Sequence, residues 1–379
     1  MNTSRRGTPD FLLLIMTLAL IAFGMLMVYS ASSMSATLYW GDSLHFIKRQ
    51  AIAVALGLIL MMFFMNLHYS KLKKWAVPLF FLVLIMLFLV PIIGIGDDFK
   101  GARSWFALGP LNLQPAEFAK LALIIYLSAL INKKGEQFYQ FKKGLLPTLI
   151  IIGTYCGLIM LQPDFGSTVV LGLIAALVIL VGGVNLKHFF ALSLGGIAVA
   201  SLVVVIPFLS GNSDYRSARI TSFIDPWADA SNTGWQITQS LMAFGHGGIW
   251  GAGFGQSIQK LGFLPAPHND FIFAIIGEEL GFIGCALFLL FYLLFLWRGI
   301  LISLRCKDPF GSLVGVGIMG MIGIQAMINL GGVTNTIPLT GVTLPFISYG
   351  GSSILVLMAS IGIVIGLSRE QNKDETEAI

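Results

Sequence analysis

Ten apolar runs punctuate the chain, at residues 11–30, 46–65, 75–95, 115–131, 144–161, 165–181, 189–209, 270–297, 310–332 and 350–367, with polar connections between them. A hydrocarbon core about 30 Å thick needs roughly 20 residues of helix to cross it, and within it every backbone polar group has to find its partner inside the protein. The pattern therefore predicts an all-α polytopic membrane protein with ten transmembrane helices. The one long interruption, residues 210–269, is polar and glycine-rich and falls between the seventh and eighth runs. No internal repeat is visible, and no polar stretch is long enough to bury a core of its own. Residues 1–369 read as one membrane domain, followed by an acidic, disordered tail at 370–379.

Composition narrows the class further. The chain is 56% hydrophobic and 11% charged, with a mean hydropathy of +0.86, whereas soluble domains carry about 25% charged residues. Lys and Arg alternate between connections, and cytoplasmic loops retain positive charge. With both termini inside, fifteen of these residues, among them Lys71, Lys142, Lys187, Arg298 and Lys307, are cytoplasmic, and seven lie outside. Both termini are thus expected in the cytoplasm and the long loop outside. This asymmetry explains the net charge of +5 without a nucleic-acid partner. The first run, though preceded by Arg5 and Arg6, is longer than a signal-peptide core and reads as a retained helix. Cys156, Cys285 and Cys306 suggest neither a disulfide framework nor a metal site.

Ionisable groups at membrane depth are costly and are functional hypotheses by default. Glu117 and Lys120, three apart on one helix face, fit an ion pair joining helices or part of a substrate cavity. Gln162, Pro163 and Asp164 turn the chain between the fifth and sixth runs; Asp164 reads as an N-cap, as a cavity carboxylate, or as both. In the long loop Tyr215, Arg216 and Arg219 fit one face of a short helix, where planar guanidinium groups suit phosphate, although by themselves these residues are better explained as a solvated loop with ordinary surface charges. Residues 234–244 have the spacing of an amphipathic interfacial helix. The glycines at 245–255 lack the setting of a nucleotide loop and read as turns and points of close backbone approach. Asp270 opens the eighth run after Pro265, Pro267, His268 and Asn269, as an N-cap or as a site carboxylate, and of Glu278 and Glu279, two turns deeper, at least one has to face protein or water. The last outer connection, 329–353, carries glycine, proline and hydroxyl groups that include Ser348 and Tyr349. It reads as a re-entrant, cavity-lining segment, or as small-residue helix packing.

Several long motifs occur in one order: GARSWFALG and QPAEFAK within 101–120, QPDFGS at 162–167, GWQITQS and GHGGIWGAGFGQS within 234–257, LPAPHNDFIFAIIGEELG at 264–281 and PLTGVTLPFISYGGSS at 338–353. Through them the chain resembles the shape, elongation, division and sporulation proteins, FtsW, RodA and SpoVE, over nearly its whole length. The division and sporulation branch is nearer, partly through MVYSAS at 27–32. Departures are small: Ala116 stands where serine is commoner, and Asn269 where threonine is common.

The resemblance implies a peptidoglycan glycosyltransferase that polymerises lipid II at the outer face of a bacterial cytoplasmic membrane. It would work beside a class B penicillin-binding protein and other division or sporulation membrane proteins. The acidic residue of the family's H-x-D-F-I-F motif maps onto Asp270, expected as the catalytic base. Arg216, Arg219 and Lys120 would offset charge on a departing pyrophosphate, Glu117 and Asp164 would shape the cavity floor, and His268, Ser348 and Tyr349 complete the expected substrate contacts. No tightly bound cofactor is implied; a divalent cation, magnesium or manganese, would be held partly by the substrate's phosphates. Two rival readings are a flippase for the lipid-linked precursor, resting on Glu117, Lys120 and Asp164, and a non-catalytic scaffold that recruits the penicillin-binding protein.

Overall fold

A computed structural model describes residues 7–97, 102–108, 111–191, 194–196 and 215–377. Helices α1 (Phe11–Trp40), α2 (His45–Asn66) and α3 (Tyr69–Ile93) precede a small sheet of β1 (Ile95–Asp97), β2 (Ala102–Leu108) and β3 (Leu111–Leu113). Then follow α4 (Pro115–Lys134), α5 (Leu146–Met160), α6 (Phe165–Val181), α7 (Tyr215–Ile224), α8 (Trp235–Gly247), α9 (Ile272–Leu304), α10 (Pro309–Val333) and α11 (Gly351–Glu377).

Among the described residues, eight helices are long and apolar enough to cross a membrane. The protein is therefore a helical, polytopic membrane protein. The sixth expected span, α6, is apolar but has 17 residues, about 25 Å at the α-helical rise. The seventh, 189–209, lies for the most part outside the described residues.

Local chemistry sets the helix ends. Asp10 caps α1 by accepting from Leu13 N at 2.8 Å, and Gly41 closes it in the left-handed region at φ 66°. The Asp10 carboxylate also accepts from Arg298 Nε at 3.1 Å, which ties the start of α1 to α9. The central helices are α4, α10 and α11, whose apolar windows are 72%, 67% and 83% buried, against 22% for both α2 and α9. The outward faces of the peripheral helices carry Leu287, Leu290, Leu293 and other exposed apolar side chains. So large an apolar exterior suits lipid rather than water.

Two elements depart from the sequence expectation. Residues between α3 and α4, where the all-α expectation has no strands, form an antiparallel sheet in the order β1-β2-β3, with Ile95 opposite Trp105 and Leu108 opposite Leu111. The run Ala102–Leu108 supplies the aromatic residues that favour strands. At the other end, α11 continues to Glu377 in place of the disordered tail expected from residue 370. Glu, Gln and Lys there are good helix formers, so the segment extends the helix that precedes it.

The helix α9 is broken at Gly281, where φ is 67° and ψ is −168°. The glycine-rich segment after α8 satisfies the opened backbone. Ala252 N and Gly253 N donate to Glu278 O and Glu279 O at 2.9 and 3.0 Å, and Phe282 N and Ile283 N donate to Gly248 O and Ile249 O at 2.9 and 3.2 Å. The approach is close enough that a Cβ on Gly281 would run into Gly251 N. Here the expected close backbone approach of the glycine run is found, against a helix interior that no periodicity flags as broken.

Candidate active site

The site is assembled where α4, α6, α9 and α11 begin and α10 ends. Asn329, buried near the end of α10, donates from Nδ2 to Asp270 O at 2.7 Å and to Val342 O at 2.8 Å. One amide thus fixes the chain entering α9 against the 338–350 segment. That segment has little regular structure, yet Leu339, Val342, Leu344, Phe346 and Ile347 are buried in it. Protein covers this irregular backbone, as a membrane setting requires.

Asp270 is half-buried. The N-cap position of α9 is Phe271, with no side-chain cap, so Asp270, expected as the N-cap, stands one residue ahead of that position. Gly341 adopts φ +76°, and a Cβ built on it would lie 3.7 Å from Arg219 Nη2 and 3.8 Å from Asp270 Oδ2. Arg219 arrives on α7, whose backbone carries the Tyr215 to Arg219 row as one short helix. The side chain of Arg216 lies outside the described residues.

His268 is buried at 6% exposure between two aromatic rings, with centroids 4.2 Å from Phe46 and 5.6 Å from Tyr349. Its carbonyl accepts from Tyr349 N at 2.9 Å, and its Nδ1 is buried without a hydrogen-bond partner. Burial pushes its pKa down to about 4, so the ring is neutral at neutral pH. Burial raises the Tyr349 phenol, while the charge and hydrogen bond of Arg49 pull it back. Ser348 acts locally, its Oγ accepting from Leu344 N at 2.9 Å and closing a turn.

The remaining expected residues surround this centre. Asp164 is the N-cap of α6, accepting from Ser167 N at 2.9 Å, and its other oxygen takes Gln114 Nε2 at 3.3 Å. It therefore joins α6 to the start of α4. Glu117 and Lys120 form a buried ion pair at 2.6 Å inside α4. Gln114 N donates to Ser352 Oγ at 3.0 Å, which ties α4 to the start of α11.

Glu278 and Glu279 both face protein. Glu278 accepts from Ser257 Oγ, from Ile258 N at 2.9 Å, and bonds His246 Nδ1 at 2.8 Å. Glu279 pairs with Lys260 Nζ at 2.8 Å and accepts from Ser30 Oγ at 2.6 Å. These carboxylates pin the 246–260 loop onto the first half of α9, and with it the backbone that leads back to Asp270.

Three contributors escaped the sequence reading: Arg49, Gln50 and Asn329. Gln50, buried on α2, accepts from Gly350 N at 3.2 Å. In the sequence Arg49 was one outer charge among seven, and the amides were single polar residues in apolar runs, a signal that could have been followed. Chemically, the centre offers a half-buried carboxylate and a guanidinium that both approach one bare glycine, and a wall of neutral aromatic groups.

A protein-family profile described as cell cycle protein, covering FtsW, RodA and SpoVE, matches residues 11–373. Stage V sporulation protein E of Bacillus subtilis is 44% identical over 97% of this chain and 99% of its own length. A protein of Geobacter metallireducens named probable peptidoglycan glycosyltransferase FtsW is 41% identical over 95% of this chain and 94% of its own. The crystal structure of the rod shape determining protein RodA of Thermus thermophilus superposes with a TM-score of 0.70 at 29% identity, covering 96% of this chain and 97% of that one. A chain from a peptidoglycan synthase complex, solved to describe how polymerization and crosslinking are coordinated, gives a TM-score of 0.77 at 30% identity, covering 96% and 98%.

Proposed function

Because the chain belongs to the FtsW, RodA and SpoVE family of cell cycle proteins, we propose that it is a peptidoglycan glycosyltransferase that polymerises lipid II. The observation that carries this reading is the convergence of Asp270 Oδ2 and Arg219 Nη2, each within 4 Å of one point beside Gly341. In the reaction the 4-hydroxyl of an acceptor sugar attacks the anomeric carbon of a donor. A new carbon–oxygen bond forms there, the bond to undecaprenyl pyrophosphate breaks with its electron pair leaving on the phosphate, and configuration inverts.

Asp270 takes the hydroxyl proton as general base, a role suited to a partly desolvated carboxylate. Arg219, with Arg216 beside it on α7, offsets the charge of the leaving group. The helices α4, α6, α9 and α11 all start at this end, so the positive ends of four dipoles favour an anion there. Asp164 with Gln114 ties α6 to the start of α4 beside the cavity, and Glu117 with Lys120 forms a buried pair within α4. Among the described residues no group of three His, Cys, Asp or Glu converges on a metal position; a magnesium or manganese ion, where it takes part, is carried by the substrate's phosphates.

In the cell we place ten helices in the bacterial cytoplasmic membrane, both termini inside, the site outside, and residues 1–369 as one domain. The partner is a class B penicillin-binding protein that crosslinks the strands, the work coupled to polymerization in the synthase complex that this chain resembles. Purified protein supplied with lipid II and that partner should make glycan polymer, and the Asp270→Asn variant should make none. Equal polymer from both removes Asp270 as the base. No polymer from either favours the flippase or scaffold.

A further inference from the structure

Gly341 differs from the other described glycines in what surrounds it. Where a Cβ on Gly41, Gly135, Gly183, Gly255 or Gly262 would meet open space, one on Gly341 would meet a guanidinium nitrogen at 3.7 Å and a carboxylate oxygen at 3.8 Å. All six have positive φ, so a need for the left-handed region accounts for glycine at each of them, but charged neighbours occur only at Gly341 among the described glycines. The two charges come from different elements, Arg219 from α7 and Asp270 from the chain entering α9.

The backbone at Gly341 is also held from both sides. On one side Thr340 O lies against α6, 2.5 Å from where a Cβ of Gly166 would be. On the other, Asn329 Nδ2 grips Val342 O at 2.8 Å while gripping Asp270 O at 2.7 Å. A single amide therefore ties the backbone of Asp270 to the residue that follows Gly341.

We infer that the Cα face of Gly341 is the floor of the subsite that seats the reacting edge of the two sugars, with the base at one end and the cation at the other. This rests on the glycosyltransferase reading. A displacement in line needs a proton acceptor beside the nucleophile and positive charge beside the leaving group, on opposite sides of the carbon that changes hands. With Asp270 and Arg219 flanking one position that carries no side chain, the acceptor hydroxyl lies toward Asp270 and gives it the proton. The anomeric carbon passes over Gly341, and the pyrophosphate departs toward Arg219 with the electron pair. A methyl at this position stands at ordinary van der Waals distance from both charged groups, so it leaves the resting protein unclashed and occupies only the space that substrate requires.

The test separates space from backbone strain. Ala is strained at positive φ, and Asn, though larger, tolerates the left-handed region better. With the full-length chain, its penicillin-binding partner and lipid II, Gly341→Ala should lower kcat about a hundredfold with KM little changed, and Gly341→Asn should be no better. Gly183→Ala and Gly183→Asn, at φ +81° with nothing within 4 Å, should keep the parental kcat. Polymerisation by Gly341→Asn that exceeds that of Gly341→Ala, or by either at the level of the Gly183 variants, overturns the inference. So does loss of folded protein in both Gly341 variants, read by thermal unfolding, because it gives the glycine a folding role instead. Polymer formed equally by Asp270→Asn and the parent ends the underlying reading separately.

Discussion

At the scale of single residues, His268 has a consequence that burial alone dictates. Its ring, packed between Phe46 and Tyr349, has a folded pKa of about 4 against 6.5 when free. Between those two values the unfolded chain holds a proton that the folded chain refuses. The stability involved is therefore complete above the unfolded pKa and lost as pH falls through that window, in all roughly 3 kcal/mol. His268→Phe keeps the aromatic packing and removes the titration. Thermal unfolding of parent and variant at neutral pH and near pH 5 should show a larger acid-induced drop in the parent; equal drops would rule His268 out as the cause. At this scale the sequence was legible for Asp270 chiefly through its motif, since its own chemistry favoured a helix cap over a site carboxylate. Gly341 lay within a motif too, at 338–353, but no role was legible for it there, because what distinguishes it is the company of Arg219 and Asp270 from elsewhere in the chain.

Among elements, the ion pair of Lys260 and Glu279 decides how the outer loop is held. It is buried, 2.8 Å long, and shares Ser30 Oγ, so a turn after α8, the first half of α9 and α1 meet at one point. Removing one partner of a buried pair leaves a charge without compensation and costs about 3–5 kcal/mol, whereas replacing both can be nearly neutral. Lys260→Met and Glu279→Gln should each lower the thermal midpoint strongly, and the double variant should lower it less than the two together. A double variant that simply adds the two losses would show the charges to be uncoupled. The need for partners was legible in two adjacent glutamates within an apolar run, but Ser30, His246, Ser257 and Lys260 lie 19 to 249 residues away and are reached only by folding. For the same reason the break at Gly281 was hidden: its donors and acceptors are supplied by the 248–253 segment. Periodicity sees runs, and it recovered the long helices; it does not see which backbone a distant glycine loop will satisfy.

For the whole molecule, contacts sort the helix ends into two groups, the arrangement that the sidedness proposed from charge requires. One end gathers Asp10 with Arg298, Gly7 N with Arg369 O at 3.1 Å, His68 with Glu370 at 3.6 Å, and Lys73 over the Phe310 ring at 6.0 Å. The starts of α1, α3 and α10 and the ends of α2, α9 and α11 are thereby together, and they carry Lys71, Lys73, Lys74, Arg298, Arg305 and Lys307. The opposite end gathers Asp270, Gly341, Asp164 and Gln114. Since positively charged connections stay in the cytoplasm, the proposal that the site faces outward requires this first end to face inward. Contact sorts the ends into two groups and charge assigns their sides, which together give the proposed orientation. It is checked by replacing the free cysteines Cys156, Cys285 and Cys306 and adding one back at exposed Trp250, on the glycine loop, or at exposed Lys307, between α9 and α10. On intact cells stripped of outer barriers, a membrane-impermeant maleimide should label Trp250→Cys at once and Lys307→Cys only after the membrane is opened. The reverse pattern would turn the protein over, place Asp270 beside the cytoplasm, and leave a polymerase with no access to the side on which its product is needed.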